Sequence, residues 1–67
     1  MLGKRLRELR KEKGLTQKQL ADMLGISDKG YGYYELDQRE PSVAMIIFLC
    51  DFYDVTADYL LGRTDSY

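Results

Sequence analysis

Residues 28–35, Asp28-Lys29-Gly30-Tyr31-Gly32-Tyr33-Tyr34-Glu35, set charged and phenolic side chains at a spacing that could do chemistry on an external partner. On a helix, this spacing places Lys29, Gly30 and Tyr33 on one surface, with Tyr31 and Tyr34 on the other. The outer surface then offers an ammonium donor, a phenol and, at its leading edge, the Asp28 carboxylate. Such a set can exchange hydrogen bonds with an external partner. It lacks the parts of a catalyst: the chain has no histidine and one cysteine, Cys50. A Ser-His or Cys-His pair and a zinc site are therefore excluded, and neither a metal nor a cofactor is expected. Asp51, Asp54 and Asp58 read as a solvated acidic face, with no coordination loop around them.

The elements that must position residues 28–35 are legible just upstream. Thr16 stands at a helix N-cap, with Gln19 three residues on, which forms a capping box, and Leu15 can staple onto Leu20. Leu20 and Leu24 share a face, and Ala21 lets a second helix come close. Gly25 suits a reversal with positive φ. Ile26 fills the gap, and Ser27 can cap the next helix. Two short helices crossing through a tight turn make a helix-turn-helix, whose second helix commonly lies in the DNA major groove. In that setting Lys29 can reach guanine O6/N7, Asp28 can accept from cytosine N4, and Tyr33 can stack on a sugar or donate to a phosphate.

Three further helices follow from the pattern. Leu2, Leu6 and Leu9 make the inward stripe of a helix over residues 2–13, with Arg10 at its edge and Gly14 as its stop. Ser42 caps a helix over residues 43–53, after a loop 36–41 ended by Pro41. Thr56 caps a short helix over residues 57–61, which Gly62 ends. The predicted class is all-α, a compact five-helix domain over residues 1–62, with residues 63–67 as a frayed tail or linker.

At 67 residues the chain is one domain with a small core. Its net charge of −1 conceals an asymmetry. Residues 1–39 carry nine basic and six acidic groups, or +3; residues 40–67 carry one and five, or −4. A basic half that bears the helix-turn-helix is compatible with a DNA partner. No stretch is long enough to cross a membrane, and no signal-peptide pattern opens the chain, so a cytoplasmic location is expected.

The ordered set Leu15-Thr16-Gln17, Leu20-Ala21, Leu24-Gly25-Ile26-Ser27, Tyr34-Glu35, Arg39-Glu40-Pro41-Ser42 and Tyr59-Leu60-Leu61-Gly62 resembles the phage-repressor and Cro type of helix-turn-helix, the Xre family of bacterial regulators. The resemblance runs from about residue 6 to residue 62. It implies a lambda-repressor-like bundle of four or five helices that binds a palindromic operator as a homodimer and regulates transcription, most often as a repressor. By position it implies that Gln17 contacts a phosphate and that Ser27, Asp28, Lys29 and Tyr33 face the DNA. Gln38 and Arg39 would touch the backbone, and Arg10 and Glu35 would form a structural salt bridge. The chain departs from the family at Asp37, where glycine is usual, at Gly30 and Gly32, where small polar residues are usual, and at Asp28. The two glycines imply a recognition helix that is dynamic when free. An alternative is an antitoxin-like or protein-interaction module on the same fold with weak DNA binding.

The helix over residues 43–53 carries more apolar residues than one face can hold. Val43, Ile46, Leu49, Cys50 and Tyr53 suffice for the core. Ala44, Met45, Phe48 and Phe52 form a second stripe, which predicts a subunit interface; the alternative is that the helix over residues 57–61 or the tail covers it through Tyr59, Leu60 or Tyr67. Met45, Phe48 and Phe52, with Tyr59 nearby, are the interface candidates.

Overall fold

Five helices form in the order the sequence predicts. The computed structural model describes residues 2–66, which hold α1 (Leu2–Glu12), α2 (Gln17–Leu24), α3 (Asp28–Glu35), α4 (Val43–Tyr53) and α5 (Ala57–Leu60). No strand occurs among the described residues. Each helix start from α2 onward is built from a hydroxyl. Thr16, Ser27, Ser42 and Thr56 accept from the amide three residues on, and Thr16 and Gln19 complete a reciprocal capping box.

The helix ends share one device. At each, two successive amides turn back onto the last turn, the second reaching five residues back, as Ile26 N–H does to Ala21 at 3.0 Å. The left-handed residue this requires is Gly14 after α1, Gly25 after α2 and Gly62 after α5. After α3 and α4 it is an aspartate, Asp37 with φ 59° and Asp54 with φ 55°. Aspartate tolerates this region better than most residues, at some cost relative to glycine.

The core lies where all five helices meet. Leu6, Leu20, Tyr31, Leu49 and Leu60 are fully buried there. Ala21 is also fully buried, so α2 and α3 cross in close contact. Gly3 permits a second close approach. A Cβ at that position would overlap the Glu35 carbonyl oxygen, so only glycine lets the start of α1 lie against the end of α3.

α4 keeps the expected phase except at its first residue. Leu49 and Tyr53 are buried and Ile46 and Cys50 pack against the core as predicted, but Val43 is 74% exposed. Ile47, one turn on from Val43, is also exposed, at 58%. Residues 63–66 lie close to the domain. Asp65 pairs with Arg5 at 2.8 Å, and the Arg63 amide donates to the Asp58 carbonyl at 2.8 Å. Tyr67 and Met1 lie outside the described residues.

Candidate nucleic-acid interface

Tyr31 and Glu35 point inward from α3, so the opposite side of the helix must point outward. Lys29 and Asp28 are exposed there; Gly30 and Tyr33 are half-buried. Ser27 sits at the leading end, where its hydroxyl oxygen accepts from the Gly30 amide at 2.9 Å. That cap leaves the hydroxyl hydrogen available to a partner. Gln38 and Arg39 are exposed in the loop after α3. The Gln38 amide is bonded to the Tyr33 carbonyl at 2.9 Å, which holds this loop beside the outer face of α3. The eight residues the sequence singles out thus gather along the start of α2, the outer side of α3 and the loop after it.

Beneath this surface lies a buried polar brace. Arg10 and Glu35 form a two-pronged pair: Nε to Oε2 is 2.7 Å and Nη2 to Oε1 is 3.1 Å. Arg10 Nη1 also donates to the Leu15 carbonyl at 2.9 Å. One guanidinium therefore ties α1, the turn before α2 and the end of α3 together. Gln17, the first residue of α2, donates from Nε2 to Glu35 Oε1 at 3.1 Å. Its amide orientation is thereby set from inside the fold, with its oxygen facing Gly32. Sequence spacing paired Arg10 with Glu35 only through family resemblance, and gave no sign of the Gln17 link.

Burial alone would raise the Glu35 carboxyl, but hydrogen bonds, chiefly from Arg10, outweigh it and hold the group below the ordinary carboxylate range. Hydrogen bonding to Glu35 in turn raises Arg10. Burial pushes the Tyr31 phenol up strongly and the Tyr53 phenol up to about 12. The Tyr31 hydroxyl is near enough to Glu35 to influence its titration, yet it makes no hydrogen bond of ordinary geometry, nor does that of Tyr53.

The interface candidates of the sequence reading divide. Tyr59 is not on an outer surface: it is 8% exposed, with the Arg5 guanidinium 4.0 Å from its ring centre. The reason is the approach of α5 to α1, which the stripe on α4 could not reveal. Phe52 is half-buried beneath the Lys13 ammonium, 5.1 Å from its ring centre, and stacks on Phe48 at 6.0 Å. Met45 packs against the core. Phe48 remains 40% exposed.

A capped helix crossing a second at a left-handed glycine, the second presenting an outward polar ridge, defines a helix-turn-helix domain. The sequence profile of the helix-turn-helix family matches residues 6–60. The chain belongs to that family, in its Xre, phage-repressor branch. It is 45% identical over 66 residues to the uncharacterized HTH-type transcriptional regulator YobD of Bacillus subtilis, covering 98% of this chain and 59% of that protein. It is 42% identical to the HTH-type transcriptional regulator ImmR of Bacillus subtilis, over 96% of this chain and 50% of that protein. The chain thus spans half to three-fifths of the length of these relatives. Among solved structures, the restriction-modification controller protein C.AhdI of Aeromonas hydrophila is similar, with a TM-score of 0.74 and 39% identity over 88% of this chain and 89% of that one.

Proposed function

We propose that this domain binds double-stranded DNA in a sequence-specific manner, as the DNA-reading part of a transcriptional repressor. The observation that carries the reading is the outward face of α3. Asp28, Lys29 and Tyr33 stand on it while Tyr31 and Glu35 of the same helix anchor it to the core. In the major groove, Lys29 donates to guanine and Asp28 accepts from cytosine; Gln17, Ser27, Gln38 and Arg39 hold the phosphates on either side. The half-buried Gly30 lets the helix backbone approach the groove wall. The relatives named as transcriptional regulators support the reading, as does the +3 charge of residues 1–39. No helix among the described residues is long and apolar enough to cross a membrane.

The operator in this reading is palindromic and is bound by two copies of the chain. The exposed Val43 and Ile47, one turn apart on α4, support self-association. Two copies on a two-fold axis place their α3 helices about 34 Å apart, one turn of DNA. Selection from a random duplex pool tests the proposal. An enriched palindrome whose affinity falls steeply with salt is the expected result. Recovery of no preferred sequence, with no salt dependence, overturns it in favour of a protein-interaction module.

A further inference from the structure

Asp37 and Asp54 occupy the same left-handed position after their helices, but they differ in what their carboxylates do. Asp37 Oδ1 accepts from the Gly3 amide at 2.9 Å. The Asp54 carboxylate makes no hydrogen bond to any described residue with ordinary geometry. Gly3 stands in the first turn of α1, where amides lack intrahelical partners and negative charge is favoured. Its missing side chain is what brings that turn against the end of α3.

Asp37 is consequently held from two directions. Its amide donates to the Tyr34 carbonyl of α3 at 3.2 Å, and its carboxylate reaches α1. The next two residues are Gln38 and Arg39, both exposed, and Pro41 is buried at the far end of the loop. The loop is pinned at both ends with its polar side chains outward between the pins.

We propose that Asp37 is a positioning residue for DNA binding: it accepts the Gly3 amide hydrogen bond from a left-handed backbone position and so fixes Gln38 and Arg39 against the phosphates beside α3. The proposal rests on the DNA-binding reading above. A glycine at this position would suit the backbone better but would release the loop from α1. The carboxylate carries out here a task that backbone freedom alone cannot.

The test compares Asp37→Gly, Asp37→Asn and Asp54→Gly with the parent chain on a mixed-sequence DNA duplex, across a range of salt. Asp54→Gly makes the same backbone change where no such bond exists, and it should bind as the parent does. Asp37→Gly should bind on the order of tenfold more weakly, with a salt slope smaller by about one, the signature of one lost phosphate contact. Asp37→Asn keeps an acceptor oxygen and should recover most of the affinity. Parent-like affinity and slope in Asp37→Gly overturn the proposal, as does an Asp37→Asn protein as weak as the glycine variant. Fast exchange of the Gly3 amide in the parent chain also overturns it, whether or not the variants fold. Arg39→Ala separates the two levels. If it weakens binding while Asp37→Gly does not, only the positioning role fails. If Arg39→Ala binds normally, the loop does not touch DNA and the proposal fails while the α3 reading stands; if the parent chain binds no duplex, the reading beneath fails with it.

Discussion

Gln17 Nε2 lies 3.1 Å from Glu35 Oε1, so the first residue of α2 is bonded to the last residue of α3. Glu35 simultaneously receives both prongs of Arg10. The carboxylate is the node at which three helices meet. Its side chain is 3% exposed, and that of Arg10 is 11% exposed. Removing one member of such a pair leaves the other charged and desolvated, which typically costs about 3–5 kcal/mol. Glu35→Ala is therefore expected to lower Tm by more than about 10 °C in a domain of this size. Glu35→Gln, which keeps an acceptor for Arg10, should lose less. Thermal denaturation followed by circular dichroism checks both; an unchanged Tm in Glu35→Ala would show that the node does not hold the helices together.

The same node sets the pH range of stability. The Glu35 and Asp37 carboxyls are held below their unfolded values, Glu35 by hydrogen bonds that outweigh burial and Asp37 by the Gly3 amide. Their contribution is present above the unfolded value of about 4.3 for Glu and about 3.9 for Asp, and it is lost as pH falls through the lower folded values. Burial raises the Tyr53 phenol to about 12. Its contribution is present below the unfolded value of about 10 and is lost as pH rises toward the folded one. Tm should therefore hold level through neutral pH, fall in acid below about pH 4, and fall again above about pH 10. Glu35→Gln should flatten part of the acid limb and leave the alkaline limb intact. Tyrosinate absorbance should lag for Tyr31 and Tyr53 until the fold opens.

Gly3 of α1 and Gly32 of α3 should respond oppositely to alanine. At Gly32 the new methyl would stand 3.7 Å from Gln17 Oε1, an ordinary contact. Gly32→Ala should then stabilise the domain by about 0.5–1 kcal/mol, the helix preference of alanine over glycine. At Gly3 the methyl would meet the Glu35 carbonyl, and the strain of forcing it in, about 1–3 kcal/mol, exceeds that preference. Gly3→Ala should lower Tm while Gly32→Ala raises it. Amide exchange through residues 29–34 would show in parallel whether α3 is dynamic when free of DNA.

These cases mark where the sequence speaks and where it falls silent. The α2–turn–α3 unit is legible because each of its decisions is local: a hydroxyl and a glutamine three residues apart, a left-handed glycine, then a second hydroxyl. Gly3 is silent because its reason lies 32 positions away, at Glu35. Asp37 looks like a poor substitute for glycine until Gly3 is seen to donate to it. α4 is apolar on nearly every side, so its pattern does not mark which end position stays outside the core, and Val43 is assigned inward and found outward. Nothing local marks Arg5, which lies over the Tyr59 ring and pairs with Asp65 across the fold.

Lys29 and Arg39 should separate base reading from backbone holding. Lys29 stands on the outer face of α3, whereas Arg39 extends from the loop beside it. Replacing Lys29 with alanine should cost about 1–3 kcal/mol on the preferred duplex and relax the preference at one base pair. Arg39→Ala should weaken all duplexes about equally and reduce the salt slope by about one. Binding titrations on the selected duplex and on point variants of it distinguish the two. If both substitutions weaken every duplex alike, α3 does not read bases through Lys29.

In the proposed dimer, the Val43 and Ile47 side of α4 meets the second copy. Val43 and Ile47 are i and i+4, so they stand together on the helix surface, and both are mostly exposed. Ile46 beside them lines a groove whose apolar wall is Leu2, Pro41 and Leu61 and whose other wall is the charged Asp37, Arg39 and Glu40. The Met45 and Phe48 side is already partly consumed within the domain. Met45 packs on the core, and Phe48 stacks on a Phe52 that lies beneath Lys13. Burying an Ile side chain in an interface contributes about 1.5–3 kcal/mol, so a charge at position 47 should shift a dimer by at least tenfold toward monomer. In sedimentation equilibrium, Ile47→Lys should dissociate the dimer and Phe48→Lys should leave it largely intact. The reverse result would assign the interface to the Phe48 stripe, and no effect from either would remove α4 from it.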